Sequence, residues 1–441
     1  MPHPLPAARR LSQALTYPTV SHQDITRMDL PVFSAFEAFL EAEYPLIHHQ
    51  LTKTVVNGHG LVFHWPGRDR KQPILLTAHY DVVPAGEEGW PYPPFSGHIA
   101  DDRVYGRGSF DDKGSLIAIL EAITALLEEG FVPASDVYLA CGFDEEVGGA
   151  HGARQIAAHF ESQGLMFDYV LDEGGAVADG AMMGIGKPVA VIGVAEKGHT
   201  SFQLTFSGEE GHAFTPPETT AVGKMARFIS LAEARPAKPR LTDTVKAMLA
   251  ATAAHRPGIQ GFVLSHPGLF EPLIIRTLLK NRQTAAMVRT TLAFTQASGG
   301  TAHNVLPKTA SCTVNVRILQ GDSSEAALAR LRGLGIPFES VAILQDEPTK
   351  SSDLKSPAME LIKNCIAQVF PDAVITPYLM TGGTDCRHYD RVTRNAYRFL
   401  PARVTEQELS LMHGRGEYLS IENLKAMIAF YTLFLRSAAT H

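Results

Sequence analysis

Five short stretches of the chain hold the side chains best suited to chemistry: LLTAHYDVV (75–83) with His79 and Asp81, VYGRGSFDDKGSL (104–116) with Asp111 and Asp112, GFDEEVGG (142–149) with Glu145 and Glu146, YVLDEGG (169–175) with Asp172 and Glu173, and MHGRGEYLS (412–420) with His413. Taken singly, each has an ordinary explanation. Two carboxylates about 4 Å apart at a surface repel by roughly 4 kcal/mol at an effective dielectric near 20, so acidic runs either splay into water, their usual fate, or are gathered by a cation. His79 and Asp81 share a face of an extended backbone. They read equally as a surface polar pair or as a ligand imidazole with its orienting carboxylate. Asp111 and Asp112 precede a helix, where capping needs one aspartate and leaves the second unexplained. If one of Glu145 and Glu146 turns to a metal, the other can lean over it as a base. His413 alone is as readily a bystander. Together, a donor set of His, Asp and Glu suits hydrolytic zinc, or cobalt or manganese in its place. A pair of ions about 3.5–4 Å apart, bridged by one carboxylate, needs about five such ligands.

These residues require a scaffold that ends several strands side by side. The apolar runs at 73–83, 136–143 and 167–175 are strand-sized, and between the first two, Leu116, Ile119, Leu120, Ile123 and Leu127 recur at helical spacing. Strands alternating with helices predict an α/β fold with a mostly parallel sheet and helices on both faces. In such sheets ligands bind beyond the carboxyl ends of the strands. From Lys187 the rhythm changes: residues 188–206 alternate as paired strands do, 221–234 is helical, and 308–319 is again strand-like. An inserted, smaller α+β domain is expected over 187–345, interrupting a larger domain formed by 1–186 and 346–441. The helical, proline-broken segment 231–258 is expected to elaborate the insert.

With 441 residues, 45% of them hydrophobic and 19% charged, the chain can bury sizeable cores. Its net charge of -7, with no dense Lys/Arg cluster, argues against nucleic acid. Arg9 and Arg10 are not followed by the apolar core of a secretory leader, and the run AMIAFYTLFL (426–435) is too short to span a bilayer. A soluble, cytoplasmic protein without a membrane partner is expected. Cys141, Cys312, Cys365 and Cys386 show no close spacing, which suits a reducing compartment and leaves any metal to His, Asp and Glu. No G-x-S-x-G or phosphate-loop pattern supports a serine hydrolase or a nucleotide-binding enzyme.

The stretches TAHYDVVPAGEEGWPYPPFSG, YGRGSFDDKGS, DEEVGG, VLDEGG, EEGHAFTPP, HNVLP and GGTDCRHY stand in an order that resembles the co-catalytic zinc amidohydrolase family of aminoacylase, carboxypeptidase S, carnosinase and succinyl-diaminopimelate desuccinylase. The likeness spans residues 51–435, and EEGW, VLDEGG, LFEPLI and GGTDCRHY point to the branch of carboxypeptidase S and the N-fatty-acyl amino acid synthase/hydrolase. It implies a zinc-exopeptidase type of fold with a lid and dimerisation insert, two Zn2+ ions, and a possible homodimer. His79 and Asp172 would ligate one zinc, Glu146 and His413 the other, and Asp111 would bridge, followed by a cis peptide to Asp112. Asp81 would orient His79, and Glu145 would be the general base. His212 would stabilise the oxyanion, in several members that of the partner subunit, while Asn304, Arg317, Gly382, Gly383 and Thr384 would bind substrate. The implied reaction is cleavage, by metal-activated water, of an amide beside a free carboxylate, as in an N-acyl amino acid or a dipeptide. A dipeptidase or carboxypeptidase without acyl activity is the narrower alternative, and a non-catalytic metal-binding relative is another.

Overall fold

The protein's structure is a computed structural model that describes residues 6–69, 72–86 and 88–438. Its centre is the strand Ile74–His79, ILLTAH, buried at every position, as a strand covered on both faces must be. It pairs in parallel with Val137–Gly142 on one side and Tyr169–Asp172 on the other, and the latter pairs in parallel with Ala396–Arg398. These four strands form the parallel middle of a ten-stranded mixed sheet. Neighbouring side chains go to opposite faces: Leu76 enters the core that contains the helices Lys113–Glu128 and Ile421–Ala438, and Leu75 the core that contains Ala153–Ser162. Each fully buried Leu, Ile or Phe contributes roughly 1.5–3 kcal/mol, so the strand is fixed from both sides before its end residue, His79, is reached. Of the opening stretch, residues 1–5 lie outside the described residues; Pro6–Ala14 is a helix that buries Leu11 in the larger core.

Two expectations about the middle of the chain need correction. Val189–Glu196 and Gly198–Ser207 do not pair with each other. The first is buried at all eight positions and lies in the ten-stranded sheet, parallel to Val374–Met380. The second alternates in and out and belongs to a separate antiparallel sheet, ordered Thr291–Gly299, Thr309–Ile318, Gly198–Ser207, Glu339–Asp346. The chain therefore crosses between sheets at Lys197, ten residues beyond the change of pattern, because the continuous apolar run VAVIGVA demands cover on both faces. The helix Asp243–Ala253 packs on Val374–Met380 of the large sheet, burying Val245 and Leu249 with Leu379, and so elaborates that sheet and not the small one. The small sheet's own core is Phe202, Leu204 and Phe206 against the helices Ala221–Ala234 and Ser324–Arg332.

The four cysteines are buried and unpaired. Among the described residues no helix is long and apolar enough to cross a membrane.

One fully buried ion pair ties the sheet to the loop after Val374–Met380. Arg398 Nε donates to Glu196 Oε1 at 2.6 Å, and neither side chain is more than 1% exposed. Glu196 also accepts from the hydroxyl (2.9 Å) and amide (3.3 Å) of Thr384. Removing one partner of such a pair leaves an uncompensated charge, whereas replacing both by apolar groups of similar volume costs far less. We expect Glu196→Gln to lose about 3–5 kcal/mol in urea unfolding, and Glu196→Leu combined with Arg398→Met to lose less than either single replacement.

Candidate metal centre

Three neighbouring strands stop within two residues of one another, since His79 stands opposite Gly142 in the parallel register and Leu76 opposite Leu171, one residue before the end of its strand. Their ends deliver His79, the short turn Glu145–Val147, and the pair Asp172 and Glu173 to one place. Asp111 comes from the loop before Lys113–Glu128, and His413 from the loop before Tyr418–Ser420.

Two groups of potential ligands result, His79 with Asp111 and Glu173, and His413 with Asp111 and Glu146; within each, the donor atoms lie within 4.8 Å of one another. Asp111 belongs to both, presenting Oδ1 to His79 Nε2 at 3.0 Å and Oδ2 to His413 Nε2 at 2.9 Å. Glu173 Oε1 is 3.3 Å from His79 Nε2, and Glu146 Oε2 is 3.1 Å from His413 Nε2. The other oxygen of Glu146 is buried without a partner. One carboxylate shared by two imidazole–carboxylate groups, with a buried oxygen left over, fits a pair of divalent cations.

Asp172 belongs to neither group. Its Oδ2 accepts the amide of Cys386 at 2.8 Å, while Oε1 of the next residue, Glu173, lies 3.3 Å from His79 Nε2. Asp81 sits where an orienting group must: its carbonyl and carboxylate lie 3.1 and 3.3 Å from His79 Nδ1. Its two carboxylate oxygens also accept the amides of Glu145 (3.0 Å) and Glu146 (3.1 Å). The peptide from Asp111 to Asp112 is cis. Asp112 does not cap the helix with its side chain; it accepts the amide of His79 at 3.3 Å.

Glu145 belongs to neither ligand group. Burial above all, then the carboxylates of Asp385 and Glu173, raise its pKa well above the ordinary range, against the pull of His79 and Arg387. Burial and Asp111 push Glu173 up to about 8. Hydrogen bonds to Asp111 and Glu146 push His413 up to about 10. For Asp111, burial is outweighed by the hydrogen bonds of His413 and His79, which hold it below the usual carboxylate range. A half-buried carboxylate with a raised pKa, placed beside such a cluster, is equipped to take and return a proton.

The remaining expected residues are spread more widely. Thr384 is anchored on Glu196, and Gly383 lies so close to Arg387 that a Cβ there would stand 2.4 Å from its guanidinium, while Gly382 faces open space. Arg317 lies on the small sheet opposite His199. Burial first, then the charge of Arg387, lowers its pKa. His212 and Asn304 are exposed on the two-stranded ribbon that pairs His212 with Val305, where the amide of Ala213 donates to Asn304 at 3.0 Å. None of their hydrogen bonds reaches the cluster.

Two residues left without a role in the sequence acquire one. Glu417 accepts the amides of Phe110 (2.9 Å) and Asp111 (3.2 Å) and pairs with Arg107, and so fixes the backbone that presents Asp111. Arg387 offers a nearly buried positive charge to Glu145, Glu196 and Asp385. The only advance sign of either was its place inside a motif.

Residues 75–437 match the model of peptidase family M20/M25/M40. The probable carboxypeptidase S-like 2 of Dictyostelium discoideum is 36% identical over 96% of this chain and 83% of its own length. The N-fatty-acyl-amino acid synthase/hydrolase of Homo sapiens is 33% identical over 98% of this chain and 87% of its own. In fold the chain is similar to the M20 family metallo-carboxypeptidase Sso-CP2 of Sulfolobus solfataricus, with a TM-score of 0.73 at 18% identity, covering 99% of this chain and 100% of that one. The α/β class with a mostly parallel sheet, expected from the sequence, holds.

The contrast between neighbours at the third strand end is testable by metal analysis after dialysis. We expect Glu173→Gln to lose about one equivalent of bound metal or to weaken its binding at least about tenfold, while Asp172→Asn keeps the full complement. The reverse pattern would restore Asp172 as the ligand.

Proposed function

Because this chain belongs to peptidase family M20/M25/M40 and is a metal-dependent hydrolase, we propose that it holds two Zn2+ ions and cleaves the amide bond of N-acyl amino acids, or of dipeptides and short peptides with a free C-terminal carboxylate. The observation that carries this reading is the sharing of Asp111 between two imidazole–carboxylate groups, with Glu145 half-buried beside them and in neither. His79 and Glu173 would hold one ion, His413 and Glu146 the other, with Asp111 common to both. When bound, two such ions supply the Lewis acidity that makes water nucleophilic at neutral pH and polarises a carbonyl. Co2+ or Mn2+ would serve the same donors.

Glu145 takes the proton of the attacking water and returns it to the leaving nitrogen. Asp81 keeps His79 in one tautomer and holds the amides of both glutamates in place. Arg317, with Arg387 near it, offers the substrate a positive field for its carboxylate, and Gly382, Gly383 and Thr384 line its approach. An amide next to a carboxylate is common to what the names of the two relatives say they act on, a C-terminal peptide bond and an N-acyl amino acid. The four buried, unpaired thiols favour a reducing compartment.

His212 and Asn304 stand apart from this chain's own cluster. We assign them to the carbonyl oxygen and the substrate, brought there by movement of the small sheet or by the small sheet of a second copy in a homodimer.

Glu145→Gln should keep its metal and lose hydrolysis by about 10^2–10^4-fold; unchanged turnover would sink the base assignment. Screening the zinc- and cobalt-loaded protein against long-chain N-acyl amino acids, N-acetyl amino acids and dipeptides separates the substrate classes, and cleavage of dipeptides alone would narrow the activity to a peptidase. His212→Ala should lower kcat with metal content intact. Mixing it with the Glu145→Gln protein should regain activity if lids are shared between subunits, and should regain none if each lid serves its own chain.

A further inference from the structure

The helices Gly258–Ser265 and Glu271–Leu278 serve neither the ligand cluster nor the small sheet. Their inner sides are already satisfied: Val263, Leu264, Ile275 and Leu278 pack on the cluster that contains Val245, Leu249 and Ile274. Their outer sides are apolar as well. Thirteen large apolar side chains are exposed among the described residues, and five of them, Ile259, Phe262, Leu269, Leu273 and Leu279, fall within residues 259–279. Ile259 is 82% and Leu269, on the turn between the helices, 74% exposed. A helix that is apolar all round is normally covered on all sides, so this outer face lacks its partner.

The charge around the face narrows the partner's chemistry. Across residues 255–282 the sole acidic residue is Glu271, half-buried and accepting the amide of Leu241 at 3.1 Å. Arg276, Lys280 and Arg282 are exposed on the same stretch. In a chain of net charge -7 this is a local reversal of sign. Apolar side chains projecting from a helical hairpin, flanked by cations, match the boundary between the headgroups and acyl chains of an anionic bilayer. A groove of about 310 Å³ between the helices, bordered by Ile259, Val263, Leu273 and Leu278, gives an acyl chain room to lie.

We propose that the hairpin 258–279 docks on an anionic lipid surface, with Ile259, Phe262, Leu269 and Leu273 entering the interface and Arg276, Lys280 and Arg282 on the phosphates. The sequence suggested no membrane partner because its net charge is negative and it has no spanning segment; peripheral docking requires neither a net positive charge nor a span.

Co-sedimentation of the full chain with phosphatidylcholine vesicles, with and without phosphatidylserine, tests this. The wild type should pellet with the phosphatidylserine vesicles at low salt. Ile259→Glu with Phe262→Glu should weaken that binding at least about tenfold, and Arg276→Glu with Lys280→Glu should abolish the preference for phosphatidylserine. Circular dichroism and thermal midpoints should match the wild type for both variants; a variant that unfolds is replaced by Leu269→Ser, on the exposed turn. Wild-type protein remaining in the supernatant with both vesicle types, or variants pelleting like the wild type, would overturn the proposal. So would loss of self-association in the Ile259→Glu, Phe262→Glu protein, which would give the face to a second copy of the chain.

Discussion

A backbone amide donating to a buried carboxylate is the bond on which this site rests. Asp81 accepts from Glu145 and Glu146, Asp112 from His79, Asp144 from His151 and Gly152, Asp172 from Cys386, and Glu417 from Phe110 and Asp111. Hydrogen bonds to charged groups contribute about 1.5–3 kcal/mol each, and each of these gives a buried carboxylate oxygen a partner. They join segments as much as 307 residues apart in the chain. The acids that could gather a cation are thus positioned by other acids that do not. The acidic density of the motifs reflects two tasks, one toward the ligand groups and one toward the polypeptide.

That division explains what the sequence made legible. The strand ends could be found because each motif closes an apolar run, and the central strands are continuous in apolar residues because both faces are covered. His79 and His413 could be proposed from residue type and order, and Asp111 and Glu146 from the family resemblance. Within an adjacent acidic pair, however, residue type carries no direction. Asp111 faces the ligand group and Asp112 the backbone, whereas Asp172 faces the backbone and Glu173 the ligand group. The choice depends on which partner amide lies nearby, here that of Cys386, more than 200 residues downstream. The middle of the chain misled for a related reason: Val189–Glu196 and Gly198–Ser207 are separated by a single residue and belong to different sheets.

The passage between the sheets is where charge is concentrated. Lys197, at the crossing, is buried and donates to the carbonyls of Ala286 and Arg289. Burial, with Arg317 and Arg289 adding to it, lowers its pKa to about 7. On the large sheet, Glu196 holds Arg398 and Thr384; on the small sheet, the charge of Arg387 lowers the pKa of Arg317. Movement of one sheet against the other would therefore change the field felt at Glu145 through Arg387 without displacing the groups around Asp111.

The paired acids also set which inherited changes the gene can absorb. At two strand ends and in the loop before Lys113–Glu128, two consecutive carboxylates have different duties, so losing or gaining one codon just upstream would exchange the duties while leaving the local composition unchanged. A lineage carrying such an indel would retain every motif recognisable by eye, and its product would present a backbone-holding acid to the pocket. The length of these loops therefore decides which acid meets the pocket, as much as the identity of the residues they carry.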